Sequence, residues 1–299
     1  MNTDFIKGII PPIVTPVTKD ERIDEPALRR QVDFVVSGGV SGILAFGSNG
    51  EFYMFEEDEM LQALEIIIDQ VSGRVPVYLG VGEIRTSKCV RLAKMGEAKG
   101  ADGISMLQPM FLKPSDDELA THFRTIADAV GGTPTLLYNN PGRTGYGMSQ
   151  SLVEHLAHTV ENLVGMKDSS GDMTQTLEFI RRNADVGFKV MCGKDTLIYG
   201  GLAHGAVGAV CTTANFLPEL VCSIYGRFVA GDLAGSLAAQ CTLNPIRLAM
   251  DNTSFPVATK DYANLLDLAV GAPVLPSKPC TEKQLVQLRA ELAKAGFLA

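Results

Sequence analysis

The sequence has no tryptophan, only four histidines, and no cysteine pair at the spacing of a zinc or redox motif. Of the histidines, His122 and His204 stand apart, while His155 and His158 share a helix face. Two ligands without a third at a plausible spacing do not make a zinc site, so no metal is expected. The six cysteines (Cys89, Cys192, Cys211, Cys222, Cys241 and Cys280) are scattered, several in apolar runs such as "KVMCGK" and "GAVCTT". They read as small buried apolar residues and not as a disulfide framework. A basic block is also missing. With a net charge of −8 and both signs interspersed, nucleic acid and anionic membrane surfaces are excluded as expected partners. No window approaches the ~18 uninterrupted apolar residues of a membrane span. The opening "MNTDFIKGII" carries an acid early and soon meets two prolines, so it does not read as a signal peptide. A soluble, cytoplasmic protein is expected.

What is present is apolar material in a regular order. Hydrophobic residues make up 46% of the 299, enough for a large core. Eight short apolar runs recur: "GIIPPIVTP" from Gly8, "SGILAF" from Ser41, "VPVYLGV" from Val75 and "GISML" from Gly103, then "TPTLLYN" from Thr133, "LVGMKDS" from Leu163, "FKVMCGK" from Phe188 and "AVGAVCTT" from Ala206. They are continuous instead of alternating, as strands buried on both faces are. The spacers have helical periodicity. In "EEDEMLQALEIIIDQVSG", Leu61, Leu64, Ile68 and Val71 share a face that stops at Gly73, and Ser149 is placed to cap the helix of "SQSLVEHLAHTV". Strands alternating with helices make a parallel sheet, and eight is the number that closes as a (β/α)8 barrel. A doubly wound open sheet is the rival, but no glycine-rich nucleotide fingerprint follows the first strand. After about Thr213 only helical patterns remain. The expected division is a barrel over residues 1–224 and a helical region over 225–299, packed on the barrel's side or on a neighbouring subunit.

In such a barrel chemistry sits where strands end. The sixth strand ends at Lys167, although lysine is a poor strand former and is rarely buried without a partner. Apolar walls disfavour the charged form of an amine, and a neutral amine condenses with a carbonyl carbon to a Schiff base. The bland alternative is an ion pair with Asp168 or another strand-end carboxylate. Tyr138 ends the fifth strand and could shuttle protons beside Lys167, or merely cap the barrel. "GSNGE" (Gly47–Glu51) is a tight turn whose amides could meet an anionic oxygen and whose Ser48 could reach Tyr138. Arg143 could offer a planar fork to a carboxylate, or be a solvated loop residue.

Together, and in this order, "GSNGE", "YNNPGRTG" and "GMKDSSGD" resemble the dihydrodipicolinate synthase/N-acetylneuraminate lyase family over the whole chain. The resemblance implies a (β/α)8 homotetramer, a dimer of dimers, that works on pyruvate without a metal or other cofactor, through a covalent imine. It assigns the imine to Lys167, the proton relay to Tyr138 with Ser48, and the pyruvate carboxylate to the backbone of Ser48 and Asn49. Gly193 and Val210 would line the pyruvate pocket, and Arg143 would meet the carboxylate of a second substrate. Ser169 and Asp195 match positions that contact substrate hydroxyls in sugar-acid lyases. Three departures bear on the substrate. Ser48–Asn49 replaces a threonine pair. Met110 and Phe111 replace a tyrosine pair, one member of which completes a proton relay across a subunit interface. Phe52, Tyr53, Glu57 and Ile84 occupy the positions where lysine acts as feedback inhibitor in regulated synthases. The expected activity is a Schiff-base lyase joining pyruvate to a small aldehyde, or cleaving a 2-keto-3-deoxy acid. The alternatives are authentic 4-hydroxy-tetrahydrodipicolinate synthase, using aspartate semialdehyde, and a keto-deoxy sugar acid dehydratase.

Overall fold

In the computed structural model, which describes residues 1–298, each of the eight apolar runs forms a strand. These are β1 (Gly8–Ile10), β2 (Ile43–Ala45), β3 (Val77–Val81), β4 (Gly103–Leu107), β5 (Thr135–Asn139), β6 (Leu163–Asp168), β7 (Lys189–Cys192) and β8 (Gly208–Val210). All strand residues except Val164 and Lys189 are buried, which is why the runs are apolar throughout. The strands are parallel and ordered β1-β8-β7-β6-β5-β4-β3-β2. The ring closes through Leu44 N donating to Pro11 O (2.9 Å) and Ile13 N donating to Leu44 O (3.0 Å). Pro11 and Pro12 have no N–H to give, so β1 stops at Ile10 and this seam is the thinnest in the barrel.

Helices α1 (Glu25–Ser37), α2 (Glu57–Val71), α3 (Thr86–Ala98), α4 (Asp116–Asp128), a one-turn α5 (Pro141–Thr144), α6 (Gln150–Thr159), α7 (Met173–Arg182), α8 (Ile198–Ala203) and α9 (Pro218–Val229) fill the connections. Their starts are written locally. Ser149 accepts from Leu152 N (3.0 Å) at the head of α6, as expected, and Ser115 with Glu118 forms a reciprocal cap on α4. Helix α2 ends one residue earlier than the Gly73 stop suggests, because Ser72 already turns left-handed at φ 49. The expected boundary at 224/225 falls inside α9, the helix that follows β8 and completes the ring; the periodicity continues unbroken through it.

The remaining helices, α10 (Leu233–Ala249), α11 (Val257–Leu265) and α12 (Glu282–Lys294), gather around Phe216 and Tyr262, whose rings stack at 4.7 Å. Their expected place is the barrel's side or a neighbour. Leu243 of α10 shares an apolar cluster with Ile198 of α8 and Val221 and Ile224 of α9, while α11 and the segment after it are tied to the loops at the strand C-termini. Thr259 Oγ1 donates to Asn49 Oδ1 (2.8 Å), and Val274 N donates to Glu51 Oε1 (2.9 Å). The C-terminal region thus forms part of the wall of the barrel mouth. Inside the barrel, Ile10, Leu44, Tyr78, Leu136, Met191 and Val210 fill the floor.

Candidate active site

The position of Lys167 rests on an irregularity in β6. Thr135 pairs with Leu163 but Leu136 pairs with Gly165, so Val164 is an extra residue. A one-residue slip reverses which face a side chain takes. Here it sends Met166 to the outer core and brings Lys167 level with Tyr138. Gly165 is needed beside the slip, since a Cβ there would collide with the carbonyl of Lys189. Lys167 is 6% exposed, and its Nζ stands 4.2 Å from the centroid of the Tyr138 ring.

The ion-pair alternative is not realised. Asp168 faces away, accepting from Asn139 Nδ2 (2.8 Å), Ser170 N (3.1 Å), Ser170 Oγ (2.9 Å) and Thr176 Oγ1 (2.5 Å). Among the described residues no carboxylate pairs with Lys167; the only buried lysine so paired is Lys260.

The Tyr138 hydroxyl accepts from Asn140 Nδ2 (2.7 Å) and lies 3.4 Å from Ser48 Oγ. Burial alone would push this phenol up. The neighbouring Lys167 charge, with the Ser48 and Asn140 hydrogen bonds, outweighs burial and holds it below its ordinary value. A phenol so held gives and takes a proton more readily near neutrality. The turn carrying Ser48 closes through Gly50 N to Gly47 O (2.9 Å) and Glu51 N to Ser48 O (3.3 Å), which uses neither the Ser48 nor the Asn49 amide. The Asn49 side chain is spent on fixing the turn: it donates to Thr212 Oγ1 (2.9 Å) after β8 and accepts from Thr259.

Other expected residues divide. Val210 lies on the barrel floor beside Lys167. Gly193 packs so closely against Ser169 and the Asp168 carbonyl that a Cβ would collide with Ser169 Oγ, and Ser169 Oγ donates to Gly193 O (3.3 Å). Asp195 was expected to meet substrate hydroxyls, but its carboxylate is taken up by Thr212 N (3.2 Å), Thr213 N (2.7 Å) and Thr213 Oγ1 (2.6 Å). It shapes the β8 loop. Arg143 lies over the ring of Phe255 at 4.2 Å, in a cleft of about 450 Å³ that also reaches Thr212 and Thr259. Gln108 Nε2 donates to Thr144 Oγ1 (2.8 Å) and holds the short α5 that presents Arg143.

Sequence reasoning did not assign Asn140, although it stands inside a quoted motif two residues from Tyr138 and a strand end could have flagged it. It also missed Thr212, Thr259 and Phe255. The last two lie in the C-terminal region, far from any strand-end signal.

Over residues 5–295 the chain matches the sequence profile of the dihydrodipicolinate synthetase family. The chain belongs to that family. It is 35% identical over 294 residues to the 4-hydroxy-tetrahydrodipicolinate synthase of Methanopyrus kandleri, covering 98% of this chain and 97% of that one. To the enzyme of the same name from Methanoculleus marisnigri it is 36% identical over 294 residues, covering 98% and 100%. Among solved structures it superposes with TM-score 0.93 and 30% identity on YagE, a dihydrodipicolinic acid synthase family protein from E. coli K12 in complex with pyruvate, covering 97% and 99%. The dihydrodipicolinate synthase of Acinetobacter baumannii complexed with pyruvate gives TM-score 0.94 and 29% identity, covering 98% and 100%. As a member of this family the protein is a lyase of the pyruvate-dependent aldolase type. After β4 the mouth carries Met110 and Phe111. Met110 is half-buried against the outer core, and Phe111 is 99% exposed with φ 72, so neither residue brings a hydroxyl toward Tyr138. No group of three or more His, Cys, Asp or Glu residues that could hold a metal occurs among the described residues, and no described helix is long and apolar enough to cross a membrane.

Proposed function

We propose that the protein joins pyruvate to a small aldehyde, and reverses that reaction, through an imine on Lys167. The observation that carries this reading is a buried strand-end lysine with no carboxylate partner, facing a phenol held below its ordinary pKa. The amine adds to C2 of pyruvate, Tyr138 supplies the proton with which the oxygen leaves as water, and the imine becomes the electron sink. The Tyr138 phenolate then takes a proton from C3 to give an enamine, which attacks the aldehyde carbon while Tyr138 returns that proton to the new alkoxide. Hydrolysis returns the amine. In the cleavage direction Tyr138 takes the C4 hydroxyl proton and the C3–C4 bond breaks into the imine. No resident cofactor is required.

The Ser48 and Asn49 amides hold the pyruvate carboxylate, and Ser48 links that site to Tyr138. Gly193 and Val210 shape the pyruvate pocket, Ser169 meets a substrate hydroxyl, and Arg143 takes a carboxylate of the second substrate. We assign the protein to the cytoplasm as a homotetramer, a reading supported by its family and by the exposed apolar loop residues Tyr53, Ile84, Phe111 and Leu112 on the chain.

A second reading, condensation with aspartate semialdehyde, is favoured by the name shared by the similar relatives at 32–36% identity. Met110 and Phe111 weigh against it, since the expected tyrosine pair is absent. The deciding experiment for the imine is incubation with pyruvate, borohydride reduction, intact mass and peptide mapping. A reduced pyruvyl adduct on Lys167 is expected. No adduct, with pyruvate binding shown separately, would make Lys167 structural.

A further inference from the structure

The lumen below Lys167 is lined by Ile10, Leu44, Leu136, Met191 and Val210, and one serine, Ser105 of β4, stands among them. Ser105 pairs in register with Gly80 on one side and Leu136 on the other. Paired residues of neighbouring strands present the same face, and Leu136 faces the lumen, so Ser105 does too. Ser105 is 7% exposed, and its hydroxyl has no hydrogen-bond partner among the described residues. Buried hydroxyls left without a partner are costly and uncommon, and ordered water is the usual remedy. Ser105 lies in the walls of two small cavities. One, of about 20 Å³, is also lined by Lys167. The other, of about 10 Å³, reaches Ser48 and Tyr138. A single buried water needs about 10–15 Å³, so the first cavity has room for one, and neither has room for pyruvate. A water there has the Ser105 hydroxyl and the Lys167 amine as partners, and two is the number it needs.

We infer that Ser105 is a positioning residue: on the floor beneath Lys167 it seats the water molecule that hydrolyses the imine, and that is expelled when the imine forms. This rests on the Schiff-base reading. Bulk water reaches C2 only through the mouth, where the second substrate competes with it; a water on the floor has no such competitor. In hydrolysis the water oxygen bonds to C2 as the C2=N electron pair moves to nitrogen, and its proton passes to the Tyr138 phenolate. In the carbinolamine the hydroxyl then gives up its proton, Nζ accepts one, and the C2–N bond breaks to return a free keto acid and a neutral amine. Ser105 touches neither C2 nor Nζ in this sequence. It acts by holding the water between the amine on one side and the hydroxyls of Ser48 and Tyr138 on the other.

The test reads two rates on the borohydride-reduced Lys167 peptide. Protein saturated with carbon-13-labelled pyruvate is chased with unlabelled pyruvate in H2O, and the loss of labelled adduct measures a step that needs water at C2. A separate jump of the preformed imine into D2O measures deuterium uptake at C3, which needs only the enamine. Ser105→Val and Ser105→Thr have nearly the same shape, and only threonine keeps the hydroxyl. The chase should be slower in Ser105→Val than in Ser105→Thr by roughly tenfold, the worth of one hydrogen bond, while deuterium uptake differs by less than about threefold. Ser105→Ala leaves room for the water but removes its partner. It should also chase more slowly than Ser105→Thr, and it decides the point if the valine variant folds poorly. Equal chase rates in the three variants overturn the inference, as does a parallel fall in both rates, which marks a distorted site. Failure to trap pyruvate at all in the parent overturns the Schiff-base reading, and the inference with it.

Discussion

Among the described residues two lysines are buried, and they are buried in opposite ways. Lys260, on α11, is 1% exposed; its Nζ lies 2.5 Å from a Glu51 carboxylate oxygen and donates to Ala272 O (3.0 Å). Burial pushes its amine down and Glu51 pushes back. Glu51 in turn accepts from Val274 N and sits in the left-handed region at φ 55, directly after the turn of Ser48 and Asn49. Lys167 has an aromatic face and a cavity where Lys260 has a counter-charge. The saturated lysine fastens the C-terminal region to the turn of Ser48 and Asn49, and the unsaturated one is the residue proposed to form the imine. Burial does not distinguish a reactive lysine from a structural one; the company it keeps does.

The largest expected effect tests the reactive side. Lys167→Ala should abolish turnover while circular dichroism and the melting transition stay those of a folded barrel, and Lys167→Arg should be equally dead, since a guanidinium restores charge without a nucleophile. Near-wild-type turnover by either variant would erase the contrast between the two lysines. Tyr138→Phe comes next. Steady-state kinetics should show turnover lower by roughly 10²–10⁴-fold, the usual contribution of a general acid–base group, with the fold intact. A change below about threefold would move the proton relay elsewhere, Ser48 being the nearest hydroxyl.

The structural side should answer in stability. Lys260→Met leaves the Glu51 carboxylate buried without its counter-charge, and urea unfolding should show a loss of about 3–5 kcal/mol. Glu51→Gln/Lys260→Met removes both charges and should recover much of that loss, since a buried pair is often replaceable by neutral groups. If the double variant is as unstable as Lys260→Met alone, the pair matters through its hydrogen bonds to Val274 and Ala272 and not through charge.

This pair also marks where the sequence stops being legible. The eight strands could be read because burial on both faces leaves no room for polar residues, and Lys167 stood out because it broke that rule at a strand end. Ser149 was legible because a cap acts within three residues. Lys260 was not, because its partner is far away in sequence and nothing in "PVATKDYANLL" differs from an ordinary amphipathic helix. The same distance hid Thr259 and Phe255. Asp195 was hard to read for a different reason. A carboxylate at a strand end can face substrate or face the next loop, and only the positions of the Thr212 and Thr213 amides decide which.

A third buried base extends the comparison and gives the smallest effect. His122 on α4 is 6% exposed, its Nδ1 lies 2.8 Å from Thr86 Oγ1, and its Nε2 is buried without a partner. With no carboxylate to hold its charge, burial pushes it down to about 4 from an ordinary 6.5. It escapes the cost of a buried cation by shedding its proton, where Lys260 keeps its charge by pairing. The folded chain therefore binds fewer protons than the unfolded chain between these two values. Stability from this group is fully present above pH 6.5 and is lost as pH falls toward 4, by up to about 1.4 kcal/mol per pH unit. Urea midpoints at pH 7 and pH 5 should differ less in His122→Gln than in the parent, because an amide keeps a hydrogen-bonding group near Thr86 without titrating. An unchanged difference would place the acid sensitivity in the carboxylates, among which Glu178, held down to about 2 by Arg181 and Arg182, titrates below this window.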